Sequence, residues 1–218
     1  MKKEEMKISD LYSLENTVAK ELLEQFTYPW EVLAHIGDFV ERLGETLPKD
    51  EYANPAEGIW IHKSAHIAPT AGIIAPVIIG PEAEVRHCAF IRGKVIVGKG
   101  AVVGNSTELK NVILFDGVQV PHYNYVGDSI LGYKAHMGAG AVTSNVKSDK
   151  SLVKVHAEDG DVTQASISSA FAAKCFGLKV LKENIYSNKA NSTRFIIVTN
   201  QRIYQKDAKK ISICFETP

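Results

Sequence analysis

The sequence predicts a mainly β protein whose centre is a solenoid of short parallel strands, with a helical N-terminal extension and a small α/β tail. The deciding observation is a period of six, because nine aliphatic residues stand six apart at positions 61, 67, 73, 79, 85, 91, 97, 103 and 109. An α-helix repeats every 3.6 residues and a single strand every two, so neither explains this run. A hexapeptide period is typical of β-solenoids, in which each six residues form a short strand and a turn.

Two further features of the repeat define the solenoid. Glycine follows the aliphatic residue at positions 80, 98 and 104, where it lets the chain turn between strands. The phase of the repeat changes after Leu109 and resumes at Leu131 and Met137. We therefore expect residues 110–130 to depart from the rung pattern. The segment PHYNYVGD, residues 121–128, lies in this departure, and its histidine is predicted to project outward from a corner.

The flanking segments have different patterns. Residues 1–55 are predicted to form a helical extension, because apolar residues recur at helical spacing after Ser13 and again after Pro29. After the polar seam near Gly160, an Ala-rich segment predicts a helix, and FIIV and KKISICFETP predict strands. The predicted domains are therefore residues 1–55, 56–160 and 161–218.

Composition excludes several classes of protein. The chain has 25 basic and 25 acidic residues among 218, which argues against a nucleic-acid partner bound through a broad basic field. The longest apolar runs are about four residues, far too short to span a membrane, and we expect no signal peptide. The three cysteines are widely spaced, so a reducing, cytoplasmic location is expected. His87 and Cys88 are adjacent, but nothing completes a tetrahedron, and no metal is predicted.

The motif His122-x-x-Tyr125-x-Gly127-Asp128 carries a resemblance to a known family. Residues 105–150 closely resemble the acetyltransferase half of the bifunctional glucosamine-1-phosphate acetyltransferase and N-acetylglucosamine-1-phosphate uridyltransferase. The resemblance covers about residues 10–160 and implies a left-handed parallel β-helix with three rungs in each triangular coil, and we count about five coils in this sequence. It also implies a homotrimer with sites at subunit boundaries.

The resemblance also implies a reaction, acyl transfer from acetyl-CoA to an amino-sugar 1-phosphate. His122 falls on the family's general base, and histidine suits that role because an amine attacks a thioester only when neutral. Substrate-binding positions fall on Arg92, Lys110, Tyr125, Asn145 and His136. The two cations would hold the phosphate, Arg92 as a bidentate donor and Lys110 as a point charge. Tyr125 and Asn145 would orient the sugar.

Two departures from the family keep a second interpretation open. His136 stands where the family has an asparagine that touches the sugar, and Val146 replaces a tyrosine. The relatives continue for several coils that bind the pantetheine of acyl-CoA, whereas the hexapeptide pattern here stops near residue 155. The alternative is a trimeric scaffold that binds sugar phosphate without catalysing acyl transfer.

The C-terminal tail carries a separate resemblance. Residues 165–198 resemble the end of the prephenate dehydratase catalytic domain, whose T-R-F motif reads Thr193, Arg194 and Phe195 here. KKISICFETP resembles the opening strand of the ACT domain that follows it in that family. A third interpretation is therefore a prephenate dehydratase fragment of phenylalanine biosynthesis, which needs another chain to supply the missing lobe.

Overall fold

The structure is a computed structural model. It describes residues 2–143, 154–155, 159–160, 162–163, 194–197 and 211–214, and describes side chains for residues 2–143 and 159–160. The N-terminal helices are α1 (Ile8–Leu11), α2 (Lys20–Leu23), α3 (Pro29–Val32) and α4 (Ile36–Thr46), with 3₁₀ turns at Lys3–Met6, Leu14–Asn16 and Leu33–His35. Short strands follow.

In chain order the strands of the central region are β1 (Tyr52–Ala56), β2 (Ile59–His62), β3 (His66–Ile67), β4 (Gly72–Ile73), β5 (Val77–Ile79), β6 (Glu84–Val85), β7 (Phe90–Ile91), β8 (Val95–Val97), β9 (Val102–Asn105), β10 (Glu108–Leu114), β11 (Gln119–His122) and β12 (Tyr125–Leu131). The first strand pairs antiparallel with the second, and all other pairs in this region are parallel.

These strands wind into a parallel β-helix with three faces, which confirms the predicted fold class. Face A contains β2, β5, β8 and the second halves of β10 and β12, and face B contains β3, β6, β9 and β11. Face C contains β4, β7 and the first halves of β10 and β12. The described residues form four complete coils and the three rungs of a fifth, which are the second half of β12 and the isolated bridges of His136 and Val142.

The register confirms that three six-residue rungs make one coil. On face C, Ile73 pairs with Ile91, Ile91 with Leu109, and Leu109 with Val126. On face B, Ile67, Val85, Val103 and Val120 form the equivalent column. Ile91, Leu109, Val126, Val103 and Val120 are fully buried. These columns fill the interior, since side chains alternate between the two sides of each strand.

The predicted interruption over residues 110–130 is wrong. Pairing continues through this segment, but the coil shortens from 18 residues to 17, as the pairs Phe90–Glu108 and Glu108–Tyr125 show. The shorter coil has one residue fewer at the corner between faces C and A. Gly93 and Lys94 both have positive φ at that corner, whereas the next two coils turn there through Asn111 and Asp128. Each loss shifts the aliphatic phase by one residue without breaking the solenoid.

The N-terminal segment covers face A. The outward residues of that face, Ile78, Ile96, Ile113 and Ile130, are at most 1% exposed because α4 and the preceding turns pack over them. The Tyr12 hydroxyl donates to the Ile130 carbonyl at 3.3 Å. Burying one such aliphatic side chain contributes about 1.5–3 kcal/mol. The extension is therefore part of the folded core of the β-helix.

The helices of this segment are shorter than predicted. The expected continuous helix after Ser13 is wrong, since the chain forms a 3₁₀ turn, extends at Thr17 and only then forms α2. Adjacent β-branched Thr17 and Val18 disfavour helix continuation. The predicted second helix is confirmed from Pro29 to Thr46, with a 3₁₀ turn between α3 and α4. Pro29 occupies the first helical position, where its missing N–H costs nothing.

Four more strands are described beyond the β-helix: β13 (Lys154–Val155), β14 (Val162–Thr163), β15 (Arg194–Ile197) and β16 (Ile211–Cys214). They form two antiparallel pairs, β13 with β14 and β15 with β16. The last two strands fall where the FIIV and KKISICFETP patterns predicted them. The predicted Ala-rich helix lies outside the described residues.

We expect Gly104→Ala to unfold the coil stack locally, because a Cβ at Gly104 would overlap the Pro121 backbone of the next coil. The expected loss is about 3 kcal/mol or more in the free energy of unfolding, measured by urea denaturation. Gly138→Ala is the matched control, since nothing lies within 4 Å of its added Cβ, and it should change stability by less than about 0.5 kcal/mol. Equal stabilities of the two variants would contradict the stacking.

Candidate functional site

His122 lies at the corner between faces B and C of the fourth coil. It ends β11 and pairs in register with Asn105 of the coil before. Its backbone N–H donates to the Asn124 side chain at 3.1 Å, and its carbonyl accepts from the Gly140 N–H at 3.0 Å. The residue is exposed, and among the described residues no hydrogen bond reaches its imidazole. The backbone is thus held while the ring faces solvent.

Asn124 holds this corner, a role that the sequence analysis missed. The residue is 2% exposed, and its amide donates to the carbonyls of Gly138 at 2.7 Å and Ala141 at 3.2 Å. Its own N–H donates to the buried Thr107 hydroxyl of the preceding coil at 3.4 Å. Asn124 therefore ties three successive coils together beside His122. Its place between the motif residues His122 and Tyr125 was the available signal.

Tyr125 begins β12 and faces outward on face C. Its ring folds over Gly127, where an added Cβ would lie 2.7 Å from the phenol oxygen. Burial raises the pKa of the Tyr125 phenol, the nearby carboxylates of Asp128 and Glu108 raise it further, and Arg92 opposes them. The phenol therefore stays protonated at neutral pH and can donate a hydrogen bond.

Arg92 and Lys110 lie next to Tyr125 on face C. Leu109 pairs with Ile91 and Lys110 pairs with Gly127, so Arg92, Lys110 and Gly127 occupy equivalent positions on three successive coils. Parallel strands are about 4.8 Å apart, which brings the two cations within reach of one anion. Both residues are exposed.

Glu108 is the second residue that the sequence analysis missed. Its carboxylate contacts the Arg92 guanidinium, and this hydrogen bond raises the pKa of Arg92. Glu108 pairs in register with Tyr125, so it lies in the outward column beside the two cations. The site therefore carries one negative charge among two positive ones. The two-residue spacing of Glu108 and Lys110 in a strand predicts that both point to the same side.

Asp128, the last residue of the motif, has a structural role at the corner between faces C and A. It is 6% exposed, its φ is 44°, and it accepts a hydrogen bond from the Asn111 amide at 2.8 Å. The same amide nitrogen donates to the Leu33 carbonyl at 3.1 Å. This corner links two coils to the N-terminal segment and positions β12 as it turns into face A.

The other predicted site residues do not join this cluster within the described structure. His136 aligns with Gln119, three residues before His122 along face B, and its ring contacts the Gln119 side chain at 3.2 Å. Asn145 and Thr193 lie outside the described residues. Arg194 and Phe195 begin β15, and their side chains are outside the described ones.

His87 and Cys88 both lie beside Thr70. The His87 Nδ1 atom lies 2.9 Å from the Thr70 hydroxyl, and the Cys88 thiol lies 4.0 Å from the same oxygen. In the part of the chain that the structure describes, no three His, Cys, Asp or Glu side chains form a metal-binding group. Over the same residues, no helix has the length and apolar character needed to cross a bilayer.

The candidate site lies in a segment of the chain that matches a known protein family. The sequence profile described as "GMPPB C-terminal domain" matches residues 73–191, which is more than half of the chain. The chain belongs to this family. The match includes the cluster on face C and continues past residue 160, into the segment predicted to be a separate tail.

Curated relatives confirm the predicted hexapeptide-repeat acyltransferase relationship. The chain is 31% identical over 150 residues to the bifunctional protein GlmU of Methanococcus maripaludis strain S2, covering 68% of this chain and 36% of the relative. It is 38% identical over 68 residues to GlmU of Methanocaldococcus jannaschii, covering 31% of this chain and 17% of the relative. The chain thus spans about a third or less of the length of these relatives.

Two solved structures show distant likeness. The acetyltransferase domain of PglB from Neisseria gonorrhoeae is 21% identical, with 53% of this chain and 58% of that chain covered and a TM-score of 0.34. PerB from Caulobacter crescentus, in complex with CoA and GDP-perosamine, is 23% identical, with 39% and 48% covered and a TM-score of 0.25. These likenesses have no bearing on the function of this chain.

Tyr125 should titrate at a pH above the ordinary range of tyrosine, because burial and two carboxylates disfavour its charged form. The folded state then holds this proton more tightly than the unfolded chain, so stability is lost as the pH rises above about 10, and not at neutral pH. NMR of the tyrosine ring carbons, assigned with Tyr125→Phe, measures the pKa. Glu108→Gln should lower it. A rise in Glu108→Gln would contradict the proximity of the carboxylate.

Proposed function

We propose that face C and its corner with face B form the acceptor site of an acyltransferase, and that the acceptor is an amino-sugar phosphate. The observation that carries the proposal is the register of Arg92 and Lys110 on adjacent coils, with Tyr125 on the same face and His122 at the corner beside it. Two adjacent exposed cations can bind a phosphate, and an exposed imidazole can act as a proton acceptor.

Lys110 and Arg92 would bind the phosphate oxygens. Lys110 supplies a mobile point charge, whereas Arg92 supplies a planar fork whose position is set by Glu108. The protonated Tyr125 phenol would donate to an acceptor oxygen. Because Gly127 has no side chain, the Tyr125 ring can lie against the sheet beside these cations.

His122 would accept a proton from the acceptor amine as the amine becomes acylated. A neutral imidazole is the usual side chain for this role at neutral pH. The ring is exposed, and its backbone is fixed by Asn124 and the Gly140 N–H. Rigid support of this kind is needed because the position of a general base determines its efficiency.

The acyl donor that we propose is acetyl-CoA, which supplies an activated acyl group as a thioester. Gly138 and Gly140, in the coil after His122, have open space around their Cα atoms. An extended donor arm can approach the backbone closely at such glycines. We further propose that the protein acts in the cytoplasm as a homotrimer. We also propose that Asn145 and His136 contribute to the sugar site, in addition to the cluster of Arg92, Lys110, Tyr125 and His122.

The test of catalysis is thiol release from acetyl-CoA in the presence of glucosamine 1-phosphate. We expect His122→Ala to lower the rate by about 100-fold or more, because a general base contributes rate factors of that order. His66→Ala is the matched control, since it removes an exposed histidine from face B of the first coil and should leave the rate unchanged. Release by His122→Ala at the wild-type rate would contradict the proposed base.

A second candidate function is sugar-phosphate binding without acyl transfer. The two exposed cations of face C favour it, because Arg92 and Lys110 can hold a phosphate whether or not His122 acts as a base. Wild-type protein that binds glucosamine 1-phosphate but releases no thiol would support this scaffold. Formation of phenylpyruvate from prephenate would instead support the dehydratase interpretation of the tail.

Glu108→Gln should strengthen the binding of inorganic phosphate by about fivefold at low ionic strength, since it removes a negative charge near the two cations. Isothermal titration calorimetry measures the affinity. Glu84→Gln is the matched control, because Glu84 pairs with Arg86 at 2.9 Å on face B and lies outside the proposed site. Unchanged affinity in Glu108→Gln would exclude Arg92 from the anion site.

A further inference from the structure

Four of the five coils turn between faces B and C through a residue in the left-handed backbone region, whereas the first coil turns there at Thr70 without one. The residues are Cys88, Ser106, Tyr123 and Gly140, with φ of 61°, 52°, 49° and 73°. They occur at intervals of 17 or 18 residues, one in each coil from the second to the fifth. The conformation therefore recurs at this corner and favours glycine or a small polar residue.

Tyr123 is the least suitable of these residues for that backbone. A bulky side chain with positive φ is uncommon because its Cβ crowds the neighbouring carbonyl. Among the described residues, eight non-glycine residues have positive φ, and Tyr123 is the single aromatic one. The backbone alone would select Gly, Asn or Ser here.

Packing does not explain the tyrosine either. Its side chain is 67% exposed, more than any other large apolar or aromatic residue among the exposed ones described. An aromatic ring in water gains nothing from the hydrophobic effect, and a strained backbone position adds a cost. Because both the backbone conformation and the solvent exposure disfavour tyrosine at this position, a ligand that contacts the ring would account for it.

The corner holds the ring beside the proposed site. The Tyr123 N–H donates to the Asn105 carbonyl at 2.9 Å, so the residue is anchored to the preceding coil. His122 precedes it and the buried Asn124 follows it. The ring therefore projects from a fixed point next to the exposed imidazole, at the end of the site away from Arg92 and Lys110 along the strand.

We propose that the Tyr123 ring is a specificity-determining contact for the sugar ring of the acceptor, whose apolar C–H face it covers. The inference rests on the proposed function, since it assigns a contact within the same acceptor site. The phosphate would lie at Lys110 and Arg92, and the pyranose would extend toward His122 and Tyr123. A planar aromatic face against a sugar excludes water from both and selects a ring-bearing acceptor over a bare phosphate.

The test compares the affinities of glucosamine 1-phosphate and inorganic phosphate by isothermal titration calorimetry. Tyr123→Asn should weaken the sugar phosphate by roughly three- to tenfold and leave inorganic phosphate unchanged. Tyr123→Phe keeps the ring and should retain wild-type affinity for both ligands. Tyr133→Asn is the matched control, because it removes another exposed tyrosine, 40% exposed, away from this corner.

The thermal midpoint and the oligomeric state of each variant separate a ligand contact from a structural role. Asn tolerates the left-handed region, so Tyr123→Asn should melt no lower than the wild type. If Tyr123→Asn binds the sugar phosphate as tightly as the wild type does, the inference about the ring is overturned and the proposed function is not. A wild type that binds phosphate but not the sugar phosphate overturns the acceptor class as well, and one that binds neither overturns the proposed function. A change of oligomeric state in Tyr123→Asn would assign the ring to a subunit contact and also overturn the inference.

Discussion

The in-register stacking of inward aliphatic side chains is the interaction on which the rest of the structure depends. Ile73, Ile91, Leu109 and Val126 form one such column, and the equivalent columns on the other faces complete the interior. Each coil hydrogen-bonds only to its neighbours, so the stability of one coil depends on the coils next to it.

The inward columns also fix which residues face outward. Once Leu109 is inside, Glu108 and Lys110 must both face out, and the same holds for Ile91 and Arg92. The candidate site is therefore a consequence of the core register.

The N-terminal extension determines which face can carry a site. Its helices bury the outward isoleucines of face A, and Asn111 and Asp116 hydrogen-bond to the backbone of this segment. Faces B and C keep exposed outward columns, and that of face C contains the apolar Phe90 and Val142 as well as charged residues. Face C combines charges of both signs with a partly buried tyrosine, and the adjoining corner is tied together by Asn124. Partial burial of Tyr125 strengthens its interactions with the charged neighbours, because the local dielectric is lower than that of water.

The sequence predicts the solenoid well because a six-residue period has few structural explanations. It also predicts that Arg92, Lys110, Tyr125 and His122 belong together, although that prediction came from family resemblance and not from spacing. It fails at residues 110–130, where a one-residue deletion in each of two successive coils looked like an interruption, because the period alone does not distinguish a shortened corner from a break. It also misses Glu108 and Asn124. Their roles depend on contacts between coils, 16 residues apart for Arg92 and Glu108 and 14 for Asn124 and Gly138.

The continuous pairing of strands through residues 110–130 explains why His122 is exposed. A break in the repeat is not needed, because His122 ends an ordinary strand and pairs with Asn105 as any rung residue would. Its exposure follows from the corner, where the chain leaves face B and outward side chains diverge from the sheet. A solenoid can therefore acquire a site by substituting outward and corner residues while the inward columns stay unchanged. This separation explains how one rigid scaffold can hold a charged site on face C and an apolar contact with its own helices on face A.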